Sequence, residues 1–244
     1  EYVYFQNMDE RKFIEGRLFY PLKNANIVIV GSSRLMQISS DIIGEPMISL
    51  TVSGASIEDN IAFALEGSSK IQANHVYIGA DPWLINKFDE QNRYRSIKYL
   101  YDYWLENAEH SKPLKAYFTT NKQNIDEQSN EGLLQSIRSA LHPLNHSISK
   151  NHKIEAIAKK AYDGYHIYNA SSVNDATNIS QGFDSLLNYA MSKFEHDTKA
   201  EKELSLLVNY LQKNGLTVSL ILSPYHPNLY GLMETKKPIF CRFI

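Results

Sequence analysis

Cysteine is almost missing from this chain. A single Cys241 in 244 residues rules out an internal disulfide framework and a cysteine-built zinc cluster. Neither sign of charge dominates. Lys and Arg number 25 against 27 Asp and Glu, a formal net charge of -2, so no basic surplus exists to attract a phosphate backbone. No apolar run approaches the roughly 18 residues that a membrane-spanning helix needs. A Gly-x-Gly-x-x-Gly turn and a P-loop are both missing, which disfavours nucleotide binding. The Gly-x-Ser-x-Gly elbow of α/β-hydrolases is missing too, because Leu35 stands where its second glycine belongs. What remains is ordinary globular usage. With 43% hydrophobic and 21% charged residues, wholesale disorder is excluded, and the length suits one α/β-sized domain spanning 1–244.

Four short apolar segments read as buried strands: Ile27–Val30, Met47–Val52, His75–Ile78 and Leu216–Leu222. Continuous β-branched runs without alternation suit strands covered on both faces, as in a parallel sheet. Helical patterns lie between them. Ser56-Ile57-Glu58-Asp59 is a capping-box-like start, Ile61 and Leu65 give an apolar stripe, and Gly67 reads as the stop. Thr198–Lys213 repeats the pattern with Leu204, Leu207 and Leu211, closed by Asn214-Gly215. Alternating strand and helix predicts right-handed crossovers in a central parallel sheet: an α/β, flavodoxin-like three-layer sandwich. The third and fourth strands are far apart in sequence, beyond any ordinary crossover. A long, mostly helical insertion or lid over about 84–197 is therefore expected.

In such a sheet, ligands bind beyond the carboxyl ends of the strands. Here those ends carry Gly31-Ser32-Ser33-Arg34, Ser53-Gly54-Ala55-Ser56, Gly79-Ala80-Asp81-Pro82-Trp83 and Ser223-Pro224-Tyr225-His226. Together they hold hydroxyls, backbone donors, a carboxylate and an imidazole, the parts needed for acyl transfer through serine.

Gly31-Ser32-Ser33 resembles the Gly-Asp-Ser nucleophile block of the SGNH (GDSL-type) hydrolase superfamily. Gly54 resembles its second block, and Gly79-Ala80-Asp81 its third, Gly-x-Asn. The phrases GSSRLMQIS, SLTVSGASIED, YIGADPWLIN and LILSPYHPNLY are similar to SGNH-like proteins of bacterial surface-polysaccharide gene clusters. The resemblance covers roughly a third of the chain. It implies a serine esterase or O-acyltransferase acting on an acylated glycan outside the cytoplasm, with no metal and no organic cofactor. Its alternative is a non-catalytic glycan-binding or assembly module on the same scaffold.

Ser33 is the nucleophile expected from that resemblance. Its own N–H and the helix that follows would supply oxyanion donors, and the plainer role for Ser32 and Ser33 is capping that helix. Gly54 combines a turn with a second donor. Asp81 stands where the family has a neutral asparagine. It is protonated, or paired with a cation such as Arg34, or the hole is unconventional; the Arg34 pairing is the expectation adopted here. His226 is the base expected by position, although a serine replaces the aspartate of Asp-x-x-His. The other reading places the true Asp-x-x-His block, with a last strand and helix, beyond Ile244. Asp163-Gly164-Tyr165-His166 also spells Asp-x-x-His but falls inside the insertion, out of order. Pro143 separates His142 from His146 and argues against a metal pair. Trp83 and the aromatic stretch Tyr94–Trp104 are candidates for sugar stacking, with packing the preferred role.

Overall fold

A computed structural model describes residues 3–4, 9–19, 25–114, 158–160, 163–168, 193–223 and 231. In chain order the strands are β1 (Val3–Tyr4), β2 (Ile27–Val30), β3 (Met47–Ser49), β4 (His75–Gly79), β5 (Ala158–Lys160), β6 (His166–Tyr168) and β7 (Thr217–Ile221). The helices are α1 (Glu10–Leu18), α2 (Ser40–Ile43), α3 (Ile57–Ile71), α4 (Lys98–Glu109) and α5 (Thr198–Lys213).

The main sheet is wholly parallel, in the order β3-β2-β4-β7. From β2 the chain steps outward to β3, then returns past β2 to β4. Right-handed crossovers in opposite directions must lie on opposite faces. One face accordingly carries α3, with Ile14, Leu18, Trp104, Leu207 and Leu211 of the other long helices joining its buried core. The other face has a smaller core of Ile27, Ile29, Leu35 and Met47, over which Ile38 and Ile43 pack. The fold is a flavodoxin-like α/β sandwich, and the direction of strand addition reverses between β2 and β4. That reversal point is where such sheets open a crevice.

Local chemistry explains the elements. Ser56 caps α3 through a full capping box with Asp59. Gly67 is a correction to the expected stop. It lies inside α3, where a Cβ would sit 2.4 Å from Leu50 Cδ1, so it serves close helix–sheet packing. The helix instead ends at Gln72, in the left-handed conformation with φ 53°.

The long excursion between β4 and β7 leaves and returns at one place. Asn86 pairs with His196 in an antiparallel bridge, Lys87 N–H donates to Glu195 O, and Asp197 N–H donates to Ile85 O. Its first helix belongs to the core. Trp104 and Leu100 of α4 are fully buried and Tyr101 nearly so; the Trp104 indole donates to Glu66 of α3 at 3.0 Å. Tyr101 and Trp104 of the aromatic stretch therefore pack, while Tyr99 is exposed. β1, β5 and β6 form a separate small antiparallel sheet.

Candidate active site

The site is built at the reversal point. Gly31 ends β2 with φ +143°, and a Cβ there would lie 3.1 Å from Gly79 Cα of β4. The two strand ends approach this closely because both positions lack side chains.

Ser32 follows and is buried, at 2% exposure. Its Oγ accepts from Arg34 N–H at 3.3 Å and donates to Asp81 Oδ2 at 2.5 Å. That second bond spans β2 and β4. Ser33 is exposed and opens a turn of 3-10 helix, Ser33–Leu35. Among the described residues its hydroxyl has no hydrogen-bond partner. The two adjacent serines thus divide the expected roles: Ser32 caps, and Ser33 presents its oxygen to solvent. The helix expected to supply a dipole after Ser33 is only this three-residue turn. That removes the dipole contribution and leaves Ser33's own amide.

Asp81 is buried. Its Oδ2 takes the Ser32 hydroxyl, and its Oδ1 lies 3.4 Å from Arg34 Nε in an ion pair. Burial pushes its carboxyl above the ordinary aspartate range, while the Ser32 bond and the Arg34 charge pull it back. Arg34 also donates from Nη2 to the Ser223 carbonyl at 3.3 Å, and its Cζ lies 5.9 Å from the Trp83 ring centre. One guanidinium therefore ties together the ends of β2, β4 and β7. Ser223 as an anchor was not foreseen, because a backbone carbonyl leaves no mark in a sequence.

Gly54 leaves the carboxyl end of β3 with φ +53°. It is covered by side chains that follow β4, and a Cβ would fall 2.1 Å from Arg93 Nη2 and 2.7 Å from Gln91 Oε1. No hydrogen bond joins Gly54 to Ser32, Asp81 or Arg34 among the described residues. The acidic residues beside this cover are perturbed. Burial, reinforced by Glu58 and Asp59, pushes Asp89 up to about 7, against pulls from the Gln91 amide and Arg93. Burial likewise raises Glu58.

His226, His142 and His146 lie outside the described residues. Asp163 and His166 lie within them, on the flank of the sheet. Asp163 Oδ2 accepts from Ser40 N–H at 3.1 Å and Ser40 Oγ at 3.0 Å, and its Oδ1 accepts from Tyr165 N–H at 3.1 Å. Its carbonyl takes Ser49 N–H, while His166 N–H donates to Met36 O at 2.8 Å. The Asp163 carboxylate thus pins α2 and its own turn.

Among the described residues, no group of three or more His, Cys, Asp and Glu side chains could hold a metal. Nor is any helix there long and apolar enough to cross a membrane. No family model matches the chain, and no curated protein or solved structure matches it.

Proposed function

We propose that this chain is an SGNH-like serine acyl-ester enzyme that transfers or removes an acyl group, acetyl foremost, on a bacterial surface glycan in the cell envelope. The observation that carries the proposal is an exposed Ser33 next to the buried Ser32 and Asp81 and the half-buried Arg34, at the reversal point of the parallel sheet. Fixing the turn below a reactive hydroxyl while leaving that hydroxyl open is the arrangement a nucleophile needs. In this reading Ser33 Oγ attacks the ester carbonyl, and the backbone N–H groups of Ser33 and Gly54 hold the oxyanion. His226 takes the serine proton and returns it to the leaving sugar oxygen. Water or a second sugar hydroxyl then accepts the acyl group from Ser33. Asp81 and Arg34 organise the turn, and Trp83 offers a face to the sugar.

The test is hydrolysis of 4-nitrophenyl acetate, followed by release or transfer of acetate on an acetylated glycan. Turnover abolished by Ser33→Ala supports the reading. Turnover indifferent to Ser33→Ala overturns it.

One observation favours the second reading, a glycan-binding or assembly module without turnover. Asp81 occupies the place of an amide donor, yet its Oδ2 accepts from Ser32 and its Oδ1 is ion-paired with Arg34. Glycan binding that survives Ser33→Ala, without ester turnover, would select it.

A further inference from the structure

The Ser53-Gly54 turn is gripped from behind by α1, and the grip uses up its polar groups selectively. Glu10, at the start of α1, accepts Ser53 N–H through Oε2 at 2.6 Å. Arg11 is buried, at 3% exposure, and its Nη2 donates to Gly54 O at 3.2 Å and Ser53 O at 3.4 Å. The same guanidinium forms a bidentate pair with Asp59 of α3, Nε to Oδ1 at 2.7 Å and Nη2 to Oδ2 at 2.6 Å. Asp59 in turn accepts Ser56 N–H at 2.9 Å. Every link is charge-assisted and at least partly buried, the class of hydrogen bond that fixes geometry best.

One group is left out. Both carbonyls and the first amide of the turn are engaged, whereas Gly54 N–H has no acceptor among the described residues. Gly54 adopts φ +53°, a conformation that a side chain at this position would resist.

We propose that Glu10 and Arg11 are positioning residues which hold the Gly54 amide in a fixed direction as an oxyanion donor. The inference rests on the serine-ester reading and assigns α1, which lies outside every candidate block, a part in it. Loss of an oxyanion donor costs about 10²–10³ in kcat; loosening one without removing it costs less, and a fall of about tenfold is expected.

The test compares Glu10→Ala with Glu10→Gln in the full chain, with two readouts. One is kcat and KM for 4-nitrophenyl acetate. The other is hydrogen exchange at the Ser53 amide. Glu10 is only partly buried, so both variants are expected to fold, with Glu10→Ala at a lower Tm because it loses the Ser53 N–H bond. Expected for Glu10→Ala is faster exchange at the Ser53 amide and about tenfold lower kcat at unchanged KM. Glu10→Gln, whose amide oxygen still accepts Ser53 N–H, should recover most of both. Faster exchange with wild-type kcat overturns the proposal, since the turn would be loosened without consequence. Unchanged exchange in Glu10→Ala overturns it as well. If the wild type shows no Ser33-dependent turnover, the ester reading has failed and the donor role falls with it; the exchange data then separately decide whether α1 holds the turn.

Discussion

Replacing Ser32 and Ser33 one at a time by alanine should give opposite results, although the residues are neighbours. Ser32→Ala removes the hydroxyl that donates to Asp81 at 2.5 Å and the cap that accepts Arg34 N–H at 3.3 Å. A hydrogen bond to a charged group contributes about 1.5–3 kcal/mol, and losing an N-cap costs about 0.5–2 kcal/mol. The two overlap at one oxygen, so a combined loss of about 2–4 kcal/mol is expected rather than the full sum. For a chain of this size that corresponds to a Tm lower by roughly 5–12 °C. Ser33→Ala removes an exposed hydroxyl without a partner among the described residues, and should stay within about 0.5 kcal/mol of wild type. The assay is urea unfolding followed by tryptophan fluorescence, with ester turnover measured on the same samples. Ser33→Ala should be fully stable and inactive; Ser32→Ala should be destabilised, with its remaining folded fraction partly active. If both variants were equally stable, or if Ser33→Ala were the weaker, the division between cap and nucleophile would be wrong.

Gly31→Ala combines a positive φ with a Cβ 3.1 Å from the Gly79 backbone. It should cost about 3 kcal/mol by thermal unfolding, since strain and overpacking each contribute about 1–3 kcal/mol. Trp104→Phe deletes a buried indole donor to Glu66 and opens space in the α3–α4 interface; a loss of about 3 kcal/mol is expected in urea. Asp89, raised to about 7 in the fold, binds its proton more tightly folded than unfolded. Its contribution to stability is thus complete at low pH and is lost as pH rises from about 4 to about 7. Asp89→Asn should accordingly gain Tm relative to wild type as pH is raised across that window, and a constant difference would refute the assignment.

The sheet was legible because its strands announce themselves as apolar runs, and all four are found where those runs lie, with β3 and β7 trimmed at their ends. α5 was equally legible, since Leu204, Leu207 and Leu211 recur at helical spacing and Asn214-Gly215 closes the pattern. Gly67 misled because a glycine that stops a helix and one that lets a helix touch a sheet look alike in sequence. Only the nearness of Leu50 distinguishes them. At the site, complementary charge suggested the Arg34–Asp81 pair. The Ser32–Asp81 bond was not legible, because nothing in a Gly-Ser-Ser triplet says which hydroxyl points inward. The grip of Glu10 and Arg11 on the β3–α3 turn joins segments more than forty residues apart, and no local pattern encodes it.

The meeting of Gly31 and Gly79 also limits how this crevice could change over evolutionary time. A methyl group on Gly79 would fall 2.9 Å from Leu35 Cδ1 but 3.3 Å from Gly31 Cα. The first obstacle is a side chain that a shorter residue at 35 would remove, and the second is tight but tolerable. Gly79 can therefore acquire a side chain only after Leu35 has been shortened. Taken in the other order, the intermediate carries a clash in the lesser core, where Leu35 is buried. Gly31 has no such route, since its φ of +143° strains any side chain whatever the space, and the Gly79 backbone lies 3.1 Å from its missing methyl. One of the two glycines is open to drift by an ordered pair of steps, and the other is closed to it.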